Sequence, residues 1–246
     1  MSRSLLAGLA CTLFILPALL AEADTLYEYN FDGGSLANTG TATDGALTAT
    51  GVAPVYVTSY TDANNVTRND LYDYSTGSGT RSHHFSNIAN QNLTTWTVGF
   101  WALDFNAASP PSEFSSAFMN DTFQLNNTAG TWRYRGSNTT FGTVLTNTWQ
   151  FIALTNDGTN TRLYVDGALG DTLGDVGGGF NEIGIGTNRA RDNPGRWNGL
   201  IDDVFVLNTT LSQQNITDLY MAGIPEPSSL ALLGHGGLLI ARRRRI

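Results

Sequence analysis

An all-β fold, two sheets packed face to face as a sandwich, is what this 246-residue sequence predicts, and three observations carry it. Short apolar runs alternate with polar residues at period 2. Clusters of Asn, Asp, Gly and Thr separate these runs. Within the body of the chain, apolar residues take a helical spacing only from Leu211 to Tyr220.

The chain opens with Arg3, a mostly apolar run from Leu5 to Leu20, and Ala21-Glu22-Ala23. That is the charged start, apolar centre and small-x-small cleavage site of a secretory leader, so residues 1–23 read as a signal peptide. Cys11, the sole cysteine, falls inside it, and the rest of the chain carries no disulfide. Tyr27, Tyr29 and Phe31 then alternate with Glu28 and Asn30 and end at Gly33-Gly34, which predicts a first strand with an aromatic inner side. The polar stretch from Thr58 to Ser86 reads as the most irregular part. Further strands are expected at 95–105, 122–125, 131–135, 149–154, 162–165, 182–185 and 199–207. Between them, Asp166-Gly167 supplies a turn, since Asp can bond nearby backbone and Gly accepts positive φ. Leu211 to Tyr220 is expected to form a short helix with Thr209 or Thr210 near its N-cap.

Four segments resemble one family: YEYNFDGG at 27–34, WTVGFWALDF at 96–105, WQFIALTNDGTNTRLYVDG at 149–167 and NGLIDDVFVLNTTLSQQNITDLY at 198–220. They look like the laminin-G-like, concanavalin A-like jelly roll. The resemblance implies an antiparallel two-sheet jelly-roll sandwich over residues 24–222, with a short C-terminal helix.

The tail, 223–246, has its own pattern: Pro225-Glu226-Pro227, an apolar stretch from Leu230 to Ala241, and Arg242 to Arg245. As a helix at about 1.5 Å per residue, the fourteen residues between Pro227 and Arg242 fall short of a hydrocarbon layer about 30 Å thick. The arginines would hold the cytoplasmic side. These residues resemble the PEP-CTERM sorting signal of Gram-negative bacteria. The resemblance implies a terminal apolar sorting helix, transient membrane association and exosortase-type machinery as partner. It also implies export across the inner membrane to the envelope, outer surface or extracellular matrix, with a precursor anchored at its C-terminus.

Residues 24–224 hold eight Arg, no Lys and nineteen Asp plus Glu, a formal charge near −11. Nucleic acid needs a neutralising basic surface, so it is not an expected partner; Arg133 and Arg135 are too few to supply one. An acidic surface does suit a divalent cation. Alternation along GLIDDVFVL places Asp202 and Asp203 on opposite faces, and an inward carboxylate requires a counter-charge. Relatives of the resembled jelly roll hold a structural calcium between the first-strand loop and this strand. That implies Asp32, Asn38 and Asp202 as ligands of a structural Ca2+.

Catalysis finds little support in the sequence. Retaining glycosidases of this fold place paired carboxylates along one strand, and here Glu28, Glu113 and Glu182 are isolated. The one reactive-looking cluster is Arg81, His83 and His84 beside Tyr72 and Tyr74. Serine-elbow, paired-cysteine and phosphate-loop motifs are absent. Carbohydrate recognition is the better expectation, because it stacks an exposed aromatic on a sugar face and surrounds it with planar polar groups. Candidates are Trp132, Tyr134 and Trp197, the last set among Arg189, Arg191, Asn193 and Arg196. Trp96, Trp101 and Trp149 fall on apolar strands and read as sandwich filling. The expectation is an exported non-enzymatic surface or matrix protein that binds a polysaccharide or a surface protein. The alternatives are a purely structural matrix protein and a polysaccharide-active lyase or hydrolase.

Overall fold

The computed structural model describes residues 24–51, 53–75, 82–108, 115–189 and 195–223. In chain order the first strands are β1 (Thr25–Tyr29), β2 (Thr48–Gly51), β3 (Val55–Thr61), β4 (Thr67–Asp73) and β5 (Ser82–Asn92). There follow β6 (Trp96–Asp104), β7 (Ser115–Met119), β8 (Gln124–Thr128), β9 (Thr131–Tyr134) and β10 (Thr139–Thr143). The last are β11 (Gln150–Asn156), β12 (Asn160–Val165), β13 (Ala168–Gly174), β14 (Gly179–Ile185) and β15 (Gly199–Leu207), and one helix, α1 (Gln213–Ala222), closes the described part of the chain.

The strands form two antiparallel sheets. Sheet one runs β13-β12-β11-β6-β15-β4-β3, with β1 added on β15, and sheet two runs β10-β9-β8-β7-β14-β5-β2. Between them lies a core of Tyr27, Tyr29, Phe31, Trp96, Phe100, Phe123, Trp132, Phe180 and their apolar neighbours. A second apolar cluster covers the opposite face of sheet one, where Trp101, Trp149, Phe151 and Phe205 meet Ile216 and Leu219 of α1. This explains why all nine residues of β6 are buried: it lies inside sheet one, and both of its faces are covered.

The expected strands are found, and the first-strand aromatics Tyr27, Tyr29 and Phe31 all enter the core. The 58–86 region departs from expectation, because β3, β4 and the start of β5 pass through it. β3 is an edge strand with mostly exposed residues, so an apolar pattern was never required of it. The helix begins later than its apolar spacing suggested. Ser212, not Thr209 or Thr210, is the N-cap: its side chain accepts from Asn215 N and Asn215 answers the cap backbone, a reciprocal capping box.

The expected terminal sorting helix is not found among the described residues. Among the described residues no helix is long and apolar enough to cross a membrane, and α1, at ten residues, packs on sheet one instead. The described residues therefore form an all-β two-sheet jelly roll with one short C-terminal helix. The membrane association, exosortase-type partner and C-terminally anchored envelope localisation expected from that tail are corrected accordingly: no helix among the described residues supports them. Pro225, Glu226 and Pro227 with the apolar run after them, like the leader at 1–23, lie outside the described residues.

Candidate functional site

On sheet two the hairpin of β8 and β9 turns through Ala129 and Gly130, both at positive φ (50° and 81°). Phe123, Leu125, Trp132 and Tyr134 point into the core. Alternation therefore turns Gln124, Asn126 and Thr128 of β8, and Arg133 of β9, to the outer face. Register sets Asn126 beside Arg133, and Arg135 N donates to Gln124 O at 3.0 Å, so amide and guanidinium groups face one another across the ladder.

The polar atoms along β8 are under-satisfied. Gln124 and Asn126 are 5% and 0% exposed, yet Gln124 Oε1, Asn126 Nδ2 and Thr128 Oγ1 have no hydrogen-bond partner. Asn126 Oδ1 does accept from Ser116 Oγ at 2.9 Å. An unmet buried polar group costs about 1–3 kcal/mol, so a row of three marks a place that water or a ligand completes. At the Gln124 end lies a cavity of about 270 Å³ lined by Thr122, Phe123, Gln124, Arg135, Gly136 and Arg189. Pockets for drug-sized ligands span roughly 300–1,000 Å³, so this one suits a single residue of a longer chain. Tyr134 lies beneath it. Burial pushes its hydroxyl up to about 12, with the Arg189 charge acting in the opposite sense. Gly136 is required there, because a Cβ would run into the Tyr134 ring.

The expected aromatic platform is not on this surface. Trp197 is 0% and Trp132 1% exposed; their rings stack at 5.3 Å within the core, and Trp197 Nε1 donates to Leu103 O and Leu200 O at 3.2 Å each. Trp132 Nε1 donates to Gln150 Oε1 at 3.2 Å, and Tyr134 is 2% exposed beside Phe123. Each ring fills space between the sheets, so none is free to stack on a sugar. Arg196 is half-buried and its carbonyl accepts from Ser115 Oγ at 2.7 Å, while Arg191 and Asn193 lie outside the described residues. Of the predicted neighbours, Arg189 reaches the cavity. Gln124 was missed by sequence reasoning, although alternation against Leu125 could have turned it outward.

The histidine cluster is core. Tyr74 and His84 are 0% and 1% exposed, with Tyr74 Oη 2.8 Å from His84 Nδ1, and Tyr72 meets the His84 ring edge-on at 4.5 Å. Burial, with the neighbouring His83, lowers the His84 pKa to about 3, which keeps it neutral. Arg81 lies outside the described residues.

Asp32, Asn38 and Asp202 do not fit a calcium ion. Asp202 accepts from Arg68 Nε at 2.8 Å, and Asp203 is bonded by Arg68 Nη2. Alternation fails at this point because Asp203 takes positive φ (47°) in a bulge of β15, which turns both carboxylates toward one guanidinium. Asn38 Oδ1 accepts from Glu28 N and Gly40 N at 2.9 Å each, and its Nδ2 donates to three carbonyls, so its amide is committed to the loop. Asp32 is exposed and accepts from Asn30 Nδ2 at 2.8 Å. Among the described residues no cluster of three or more His, Cys, Asp or Glu side chains could hold a metal.

A family model described as the concanavalin A-like lectin/glucanases superfamily matches residues 77–217. No protein of curated function matches the chain by sequence. Among solved structures, it is similar to the receptor binding domain of botulinum neurotoxin D (16% identity, TM-score 0.57), over 81% of this chain and 52% of that one. It is also similar to the serotype D ligand binding domain in complex with N-acetylneuraminic acid (16%, TM-score 0.55; 81% and 51% covered). A third likeness is domain 4 of AbnA, a GH43 extracellular arabinanase from Geobacillus stearothermophilus, in complex with arabinotriose (18%, TM-score 0.51; 80% and 98% covered). This chain thus spans about half the length of the neurotoxin domains but nearly all of the arabinanase domain.

Proposed function

The chain belongs to the concanavalin A-like lectin/glucanases superfamily, and from that membership we propose that it is a non-catalytic carbohydrate-binding domain whose site is the outer face of sheet two at Gln124. The observation that carries this is the row of unmet polar atoms on β8 ending in the Gln124 cavity. Sugar hydroxyls both donate and accept, so they complete amide and hydroxyl groups of this kind, and guanidinium groups add directional donors. The arabinanase domain, matched along almost its whole length and holding arabinotriose, supports the same reading. Ligands of the neurotoxin domains bear on it less, since half of each lies outside the match.

Binding without turnover is supported by the acids. Hydrolysis by retention needs two carboxyls about 5–5.5 Å apart across a cleft. No carboxylate stands among the described residues lining the cavity, and the adjacent pair Asp202 and Asp203 is closed on Arg68. Isothermal titration of the purified protein with a panel of matrix polysaccharides, arabinan included, tests the proposal. Saturable binding is expected, about tenfold weaker in Gln124→Ala at unchanged melting temperature. Absence of binding across the panel would overturn it.

A further inference from the structure

The charge around the cavity differs from that of the rest of the molecule. The chain carries a net charge of −8, yet among the described residues lining this cavity two are arginines and none is an acid. Elsewhere Arg68 pairs with Asp202 and Asp203, and Arg162 with Asp157 at 2.7 Å. Arg189 joins none of the three ion pairs found among the described residues, and it is exposed at the rim. Asp121, beside the lining residue Thr122, is turned away: its two carboxylate oxygens accept from Asn181 N at 3.0 Å and Asn181 Nδ2 at 2.8 Å. Arg133, on the outer face of β9, extends the same basic strip along the hairpin.

We infer that the Gln124 cavity takes a sugar residue bearing a carboxylate, a uronic acid or its equivalent, within a longer saccharide. The inference rests on the carbohydrate-binding reading and adds its chemical class. Guanidinium and carboxylate are matched planar groups that form paired, charge-assisted bonds. Gln124, with Oε1 unmet and buried at the cavity wall, supplies an acceptor for a ring hydroxyl beside that carboxylate. A neutral sugar would satisfy Gln124 but make no use of the Arg189 charge at the rim. An acidic sugar uses both, and the net negative charge elsewhere would confine a polyanion to this strip.

The test is titration of the purified full-length protein with polygalacturonate and with alginate, each beside its carboxyl-reduced counterpart, and with arabinan as a neutral chain. Preference for an acidic polymer over its reduced form by about tenfold or more, weakening with added salt, is the expected result. Arg189→Gln should remove that preference without lowering the melting temperature, and Arg135→Gln serves as the second variant. Equal binding of acidic and reduced forms, or preference for arabinan, overturns the charge assignment while the carbohydrate-binding reading stands. No binding of any of these polymers overturns both.

Discussion

Arg68 shows how one side chain settles a local problem posed by two adjacent acids. Its guanidinium bonds Asp202 and Asp203 and lies over the Trp101 ring, 4.5 Å from the centroid, with the Trp149 ring 5.7 Å away. Burial, reinforced by Asp203, pushes the Asp202 carboxyl well above the usual range, and Arg68 pulls the other way. Removing one partner from a buried ion pair leaves uncompensated charge and costs about 3–5 kcal/mol. Arg68→Gln should lower stability by about that amount in urea unfolding, whereas calcium or chelator should leave the melting temperature of the native protein unchanged. A rise in melting temperature with calcium would restore a metal to this position. The sequence made Asp202 and Asp203 visible as a charge in need of a partner. It did not reveal Arg68, 134 residues away from Asp202 in the chain, as that partner.

At the scale of elements, α1 is held as much by a turn as by its apolar face. Asp166 and Gly167, at φ 52° and 76°, form the two-residue turn that joins β12 to β13. The Gly167 carbonyl accepts from Gln213 Nε2 at 2.5 Å and from Thr217 Oγ1 at 3.2 Å, and a Cβ on Gly167 would lie 3.1 Å from Thr217 Cα. The turn chemistry was legible because Asp-Gly has few alternatives between alternating runs. The helix start was less so, because Thr209, Thr210 and Ser212 all qualify as caps by residue type. Ser212→Ala should cost about 1 kcal/mol in a denaturation midpoint, while Ser212→Asp should retain most of the stability. Equal midpoints for all three proteins would show that Gly167, not the cap, fixes the helix.

For the whole molecule, the sandwich depends on keeping a histidine neutral between its sheets. The His84 pKa falls from 6.5 to about 3 through burial and His83, and the tyrosines facing it, Tyr72 and Tyr74, are raised above 10 and stay neutral. The unfolded chain therefore takes up a proton that the folded one refuses. Stability present above pH 6.5 is lost as pH falls toward 3, at up to about 1.4 kcal/mol per pH unit. Asp104, Asp166 and Asp202, raised by burial, act in the opposite sense, so the informative quantity is the difference from His84→Gln. Melting from pH 7 to 4 should fall more steeply in the native protein than in the variant; parallel curves would remove His84 as the cause. By itself the sequence determined the strand pattern, the aromatic first strand and the Asp-Gly turn, because each is a local property of alternation, turn chemistry or residue type. Tertiary structure alone decided that Trp132, Tyr134 and Trp197 are core and that Gln124, Arg135 and Arg189 share a cavity. Burial and convergence arise when two sheets close over one another, and alternation along a single strand does not specify which of its two faces will be covered.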